Sequence, residues 1–420
     1  NEDPAVRVQL PRPHVEDTLV GSQGGALGWV IDRATRDDRR FVVVVTPDEP
    51  SARHLQNMLA TLRPEGISST AIMRLLDYQP YGGMSPSRAL IMDRATTLFR
   101  LLHDPKLRTL IVPARSMLDK YPPSHAIKQH CMELEVGQEV AIRDLTEFLV
   151  EGGYNASSVV SDPGCFAQRG GLLDVFFPLY PHPVRIDFWG DQIDSMRFFD
   201  ATTQRTKHTT KRILLGPVTT FLAKQSVFDH ARQSILDCAD DLGIPSSRVR
   251  ALNELLKSLR LSVGMEDLLP AFYPTLERLF DYLPEDTVFV LDRPEIWEGK
   301  LSEWFEDLDE AQSAMMAERR DPVFDTERLF EPPSTILAEI SAHTRLRCQQ
   351  LETADKSTHR LATQSHDILS QTIQAANQQG EHLADGPLLV ALKRWLEDGY
   401  RIFVFAHQLG GLERLRLILA

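Results

Sequence analysis

The sequence predicts an α/β protein: a parallel sheet wound by helices, interrupted by a small inserted α+β domain and followed by a further small α/β domain. Three observations carry this. Phe41–Thr46 and Thr287–Leu291 are continuous apolar runs rich in β-branched residues, and Leu107–Val112 is a third such segment, as expected of strands buried on both faces of a parallel sheet. Helical spacing alternates with these runs, which is the doubly wound pattern. From about Cys131 the texture changes to short strands of alternating polarity.

In chain order, the spacing predicts a helix over 50–62 and a helical face of Ala95, Leu98, Phe99 and Leu102, with Pro113 ending the strand at 107–112. These elements form a first unit, 1–130. A second unit, 131–216, begins with an amphipathic helix at Ile142–Glu151, stopped by Gly152-Gly153. Strands at 172–177, 184–189 and 192–199 follow, the last two joined by a tight Gly190-Asp191 turn. Helices at 226–242, 247–259 and 266–283, the strand at 287–291 and a long acidic helix at 296–319 make a third unit, 217–320. Three prolines mark 321–333 as a linker. A last unit, 334–420, is expected to hold a polar stretch at 349–382, a helix at 387–397, a strand at 401–406 and a closing helix at 412–420. That last helix has no cap, so the sequence reads as part of a longer protein.

Composition narrows the function classes. The formal net charge is −13, which disfavours binding a polyanion by phosphate neutralisation and favours protein partners. Short basic clusters at Arg36–Arg40 and Arg205–Arg212 are the exceptions. The four cysteines, Cys131, Cys165, Cys238 and Cys348, form no CxxC pair, which argues against zinc and disulfides and fits a reducing cytoplasm. No apolar run is long enough to span a membrane. The histidines are scattered, and no metal site is expected. Asp93-Arg94 reads as a helix cap with a salt bridge.

Leu19–Gly28 lies where a phosphate-binding loop would lie. A working loop follows G-x-x-x-x-G-K-[ST], in which the lysine neutralises phosphate and the hydroxyl ligates magnesium. With Gly21 as the first glycine, Ala26 takes the place of the second, Leu27 of the lysine and Gly28 of the hydroxyl residue. Gly24 and Gly25 remain as a glycine-rich helix start. The loop is a degenerate nucleotide loop without the two side chains that do chemistry. After Thr287–Leu291 the chain runs Asp292-Arg293, so the expected Asp-Glu pair for magnesium and water is also broken, and Asp292 reads as a strand-end cap.

Longer motifs point to a family. Gly164-Cys-Phe-Ala-Gln-Arg-Gly-Gly-Leu-Leu-Asp-Val-Phe176 is followed by Pro183-Val-Arg-Ile-Asp-Phe-Trp-Gly-Asp191, then Ile193-Asp-Ser-Met-Arg-Phe-Phe-Asp200 and Thr203-Gln-Arg-Thr206. This series resembles the front end of bacterial transcription-repair coupling factors (Mfd), which is itself similar to UvrB. Leu90–Leu98, Leu110–Pro113, Gly264–Pro270 and Phe280–Pro284 add secondary matches, while Cys165 departs from the glutamate the family often carries. The resemblance implies a UvrB-like, helicase-like body and a docking module for UvrA, the repair protein. It implies no cofactor in these residues. ATP, magnesium, RNA polymerase and DNA would be bound by domains beyond residue 420, in a protein that is an ATP-dependent DNA translocase as a whole. UvrB needs a working phosphate loop, so the broken loop favours the coupling factors over UvrB.

The resemblance also implies that Arg169, Arg185 and Trp189 contact UvrA. Strand alternation places Arg185, Asp187 and Trp189 on one face and Val184, Ile186 and Phe188 on the other. Arg and Trp are enriched at interface hot spots. The competing reading is a surface ion pair between Arg185 and Asp187. Asp187, Asp191, Asp194 and Asp200 read as a solvated face. No catalytic residue is expected.

Overall fold

A computed structural model describes residues 10–12, 15–22, 25–63, 69–82, 85–222, 224–245, 265–318, 321–349, 358–361, 367–378 and 386–400, with isolated residues between them. Gly24 and most of the helix expected at 247–259, of the strand at 401–406 and of the closing helix at 412–420 lie outside the described residues.

Seven parallel strands form the body sheet, in the order Thr358–Arg360, Glu16–Val20, Thr344–Gln349, Val288–Asp292, Val42–Thr46, Thr109–Pro113, Thr70–Ile72. The three apolar runs read from sequence are the adjacent strands at 288–292, 42–46 and 109–113, buried throughout. Helices Gly25–Asp37 and Glu49–Leu62 cover one face, burying Val30, Ile31, Leu55 and Leu59 against Val42, Val44, Ile111 and Val290. Val43, Val45, Leu110, Val112 and Leu291 face the other side, where Leu98, Phe228, Trp297, Leu301 and Leu308 cover them. Burial on both faces is why these strands carry no alternation.

The body continues through the expected linker at 321–333. Val323, Phe324, Leu329 and Phe330 are buried in the body core, and Lys120 reaches Glu331 at 3.1 Å. The prolines mark bends, but the apolar side chains between them anchor the segment, so 321–333 is packed chain and not a linker. Thr344–Gln349 then enters the centre of the body sheet. The parallel sheet therefore draws on residues assigned to the separate last unit. Helices at Asp367–Gln378 and Pro387–Glu397 follow and touch each other.

The single helix expected over 266–283 is broken into a 3₁₀ turn at Glu266–Leu268, a short helix at Leu269–Phe272, a two-residue strand at Glu277–Arg278 and a second 3₁₀ turn. Pro274 has no N–H to continue the ladder. The first turn acts as a clip. Asp267 accepts the Tyr81 N–H at 2.7 Å and the Tyr78 hydroxyl at 3.3 Å, and Glu266 accepts from Ser85 at 2.7 Å.

Burial pushes the Asp267 carboxyl up to about 7. The folded state thus holds a proton that the unfolded chain releases near 3.8. Stability from this group is complete below that lower value and is lost as pH rises through about 7. Calorimetric melting of Asp267→Asn between about pH 4 and pH 8 should show a flatter fall in stability than the parent, with the variant's advantage greatest at the alkaline end.

The expectation for Asp93-Arg94 is corrected. Both lie inside helix Arg88–His103, whose cap position is Ser87. Asp93 pairs with Arg74 at 3.1 Å, whereas Arg94 is buried and bonds Asp119 at 2.7 Å. The same helix carries the inserted module. Its Met92 and Phe99 belong to the module core, and Arg88 Nη2 donates to the carbonyls of Gly153 at 3.2 Å and Gly164 at 3.0 Å. At Gly216 the fit against Phe99 is closer still, since an added Cβ would lie 2.9 Å from Cγ and nearer to Cδ2 and Cε2.

Candidate functional site

The inserted module is built on a second, six-stranded sheet in the order Thr206–Thr210, Gln192–Phe199, Val184–Trp189, Leu172–Val175, Cys165–Arg169, Asn155–Ala156. Only the last pairing is parallel. Phe166, Val175, Val184, Ile186, Met196 and Phe198 line the inner face, against Leu145 and Leu149 of helix Ile142–Glu151. The register sets the outer face. One row reads Ala167, Asp174, Arg185, Arg197 and Thr209, and the next reads Arg169, Leu172, Asp187 and Ser195. Trp189 ends its strand at the two-residue turn, where Gly190 takes φ +63°.

All three predicted contact residues therefore share this outer face, but in different states. Trp189 is 82% exposed, the most exposed of the large apolar side chains among the described residues. Arg169 is about half exposed, its side chain at 53%, with a single 3.4 Å contact to Asp174. Arg185 is held from several sides. Its Nε and Nη2 each donate at 2.7 Å to Asp174, Nη2 also reaches Gln204 at 3.3 Å, and the guanidinium lies 4.6 Å from the Phe199 ring centroid. Asp174 is buried at 2% exposure.

The proposed Arg185–Asp187 surface pair is not what forms. Arg185 pairs across strands with Asp174, while Asp187 accepts from Arg197 and from Ser195 at 2.8 Å. A register shift pairs Asp187 with Ser195 but Phe188 with Ile193, leaving Asp194 as a bulge residue. Asp191 and Asp194 are exposed as expected. Asp200 instead accepts the Thr203 N–H at 2.8 Å and its hydroxyl at 3.0 Å, contacts that hold its carboxyl down at about 2.

Sequence reasoning missed Asp174, Phe199 and Gln204. A signal for the first was present: a carboxylate between Leu173 and Val175 in a buried strand needs a cation. In the sequence Thr203–Thr206 is a motif to which no role attaches. In the structure Gln204 takes a left-handed backbone, φ +59°, and bonds the Ala201 carbonyl at 2.8 Å and the Val160 carbonyl at 3.3 Å beside its contact to Arg185.

The degenerate nucleotide loop lies elsewhere, at the carboxyl ends of the body strands. Gly21 leaves strand Glu16–Val20 at φ +86°, and the following helix starts at Gly25. Ala26 is half-buried and Leu27, at the lysine position, is buried in the apolar core beneath the sheet. A Cβ on Gly28, at the hydroxyl position, would come within 2.9 Å of Met58 Cε. Two strands away, Asp292 is buried with its pKa raised by burial, and Arg293 bonds it at 3.2 and 3.3 Å. Arg293 also reaches Ser51 at 3.2 Å from a left-handed backbone, φ +47°. Among the described residues no His/Cys/Asp/Glu group is placed to hold a metal ion, and no helix is long and apolar enough to cross a membrane.

The UvrB interaction domain family matches residues 132–221, which contain the outer face. The transcription-repair-coupling factor of Myxococcus xanthus is 30% identical over 417 residues, covering 95% of this chain and 34% of that protein. The Haemophilus influenzae factor is 30% identical over 63% of this chain, and the Escherichia coli factor 28% identical over 68%. The chain spans about a third of the Myxococcus relative and 23% and 24% of the other two. The matches and the mixed α/β architecture identify the chain as an amino-terminal, UvrB-like region of the transcription-repair-coupling factor family, carrying a UvrB interaction domain.

Proposed function

We propose that this chain recruits UvrA through the outer face of the inserted module, with Arg169, Arg185 and Trp189 at the contact. In the whole protein this would bring nucleotide excision repair to RNA polymerase stalled at DNA lesions, in the cytoplasm, while translocase domains outside this sequence hydrolyse ATP on DNA. The observation that carries the reading is Trp189, 82% exposed on the face that also holds Arg169, Arg185 and Arg197. Leaving an indole in water is unfavourable unless a partner covers it.

Binding of purified UvrA should weaken at least about 30-fold for Trp189→Ala, about 2 kcal/mol, with the melting temperature unchanged. Arg169→Ala should also weaken it. If both variants bind UvrA as the parent does, the docking assignment is wrong.

Two alternatives concern the body: a UvrB-like helicase subunit with a working ATPase, and a module that senses nucleotide without hydrolysis. Buried Leu27 and the Arg293–Asp292 pair support neither, because a phosphoryl-transfer site depends on a free cation and a free carboxylate. Incubation with Mg-ATP and duplex DNA should release no phosphate, and calorimetry should detect no micromolar ATP binding.

A further inference from the structure

We infer that Asp174 and Gln204 are positioning residues for docking, acting through Arg185, and that Arg169 and Trp189 are the groups left free to meet the partner. The inference rests on the UvrA-docking reading above and assigns different tasks to residues which that reading groups together.

An Arg guanidinium has five N–H donors in a rigid plane, and its use depends on how many are already engaged. In Arg185, Nε and Nη2 form a fork on Asp174, with both distances 2.7 Å, the geometry of a strong bidentate pair. Nη2 is shared with Gln204 Oε1, and one face of the plane lies on Phe199. The side chain is only 19% exposed. Because both Asp174 oxygens are taken, Arg169 approaches only one of them, at the longer 3.4 Å, and keeps most of its donors for solvent.

The support for this clamp is local and directional. Asp174 stands on the strand beside Arg185 and directly opposite it in register. Gln204 is presented by a left-handed residue held by the Asp200–Thr203 turn, so its amide can bond two carbonyls and still accept from Arg185. A guanidinium fixed in advance loses less freedom on association than one that must be ordered by the partner. The remaining donors of Arg185, on Nη1, are thereby held in one orientation on the face that also carries Arg169 and Trp189.

The test is a double-mutant cycle on UvrA affinity, with thermal melting measured for every variant. Asp174→Asn should weaken binding about 10-fold, and Arg185→Ala should weaken it at least as much. The double variant should be no weaker than Arg185→Ala alone, since Asp174 has nothing to orient once Arg185 is gone. A purely structural role for Asp174 would instead leave the two losses multiplying, and that result overturns the inference. Gln204→Asn probes the same clamp without touching the buried carboxylate. Asn tolerates the left-handed backbone but is one methylene too short to reach Arg185, so affinity should fall about 3-fold; the melt is read alongside, because the same amide also bonds the Ala201 and Val160 carbonyls. Should Asp174→Asn fail to fold, this variant decides, and unchanged affinity overturns the inference. Trp189→Ala separates the two levels. If it abolishes binding while Asp174→Asn and Gln204→Asn bind normally, docking stands and the positioning role falls. If neither it nor Arg169→Ala has an effect, the docking reading itself fails.

Discussion

Replacing Arg94 by alanine is expected to destabilise the body by about 3–5 kcal/mol, the usual cost of breaking a buried ion pair from one side. Its side chain is 6% exposed, donates to Asp119 at 2.7 Å and makes two bonds to the Arg74 carbonyl, at 2.7 and 3.2 Å. The guanidinium also lies 5.5 Å from the Tyr121 ring centroid. Truncation strands the Asp119 carboxylate in a cleft and leaves the Arg74 carbonyl without its donors. The neighbouring Asp93→Ala makes the control, because its pair with Arg74 is half exposed and should be worth under about 1 kcal/mol. Urea unfolding of the two variants gives the comparison. Equal losses would mean that the Arg94 network contributes no more than a surface pair.

Gly216→Ala is the second large effect, expected at about 2–3 kcal/mol from overpacking. The added methyl has no space beside the Phe99 ring, and Phe99 is fully buried between body and module. Gly216 cannot simply shift away, because its carbonyl accepts the buried Tyr154 hydroxyl at 2.8 Å. A smaller partner should relieve the strain. Phe99→Leu combined with Gly216→Ala should therefore lose less stability than the sum of the two single changes. Additive losses in denaturant titrations would remove this steric account.

What could be read in the sequence follows from how local each cause is. The strand at 42–46 is legible because burial on both faces leaves a run of valines. Helix 142–151 is legible because its apolar stripe and its glycine stop lie within ten residues. Thr344–Gln349 is an interior strand of the body sheet, yet its local pattern points to a separate last unit. Its outward positions are Arg345 and Arg347, which look solvent-facing until Glu16 and Glu298, from distant segments, are seen beside them. The outer face of the inserted module divides the same way. Two-residue alternation is enough to place Arg185 and Trp189 together. The Arg185–Asp174 pairing depends on strand register, and the Arg185–Gln204 contact on a left-handed residue, so neither is visible in local pattern.

The contacts of helix Arg88–His103 with the module have a mechanical meaning. Arg88 clasps two module carbonyls, and Phe99 fills the gap at Gly216. A module on a flexible tether would let its cargo sample a sphere of orientations, diluting each one. A module bolted to a helix fixes the bearing of whatever it holds relative to the parallel sheet. Under such an arrangement, delivery becomes a matter of aim, and a turn of the body would swing the docked partner through the same angle.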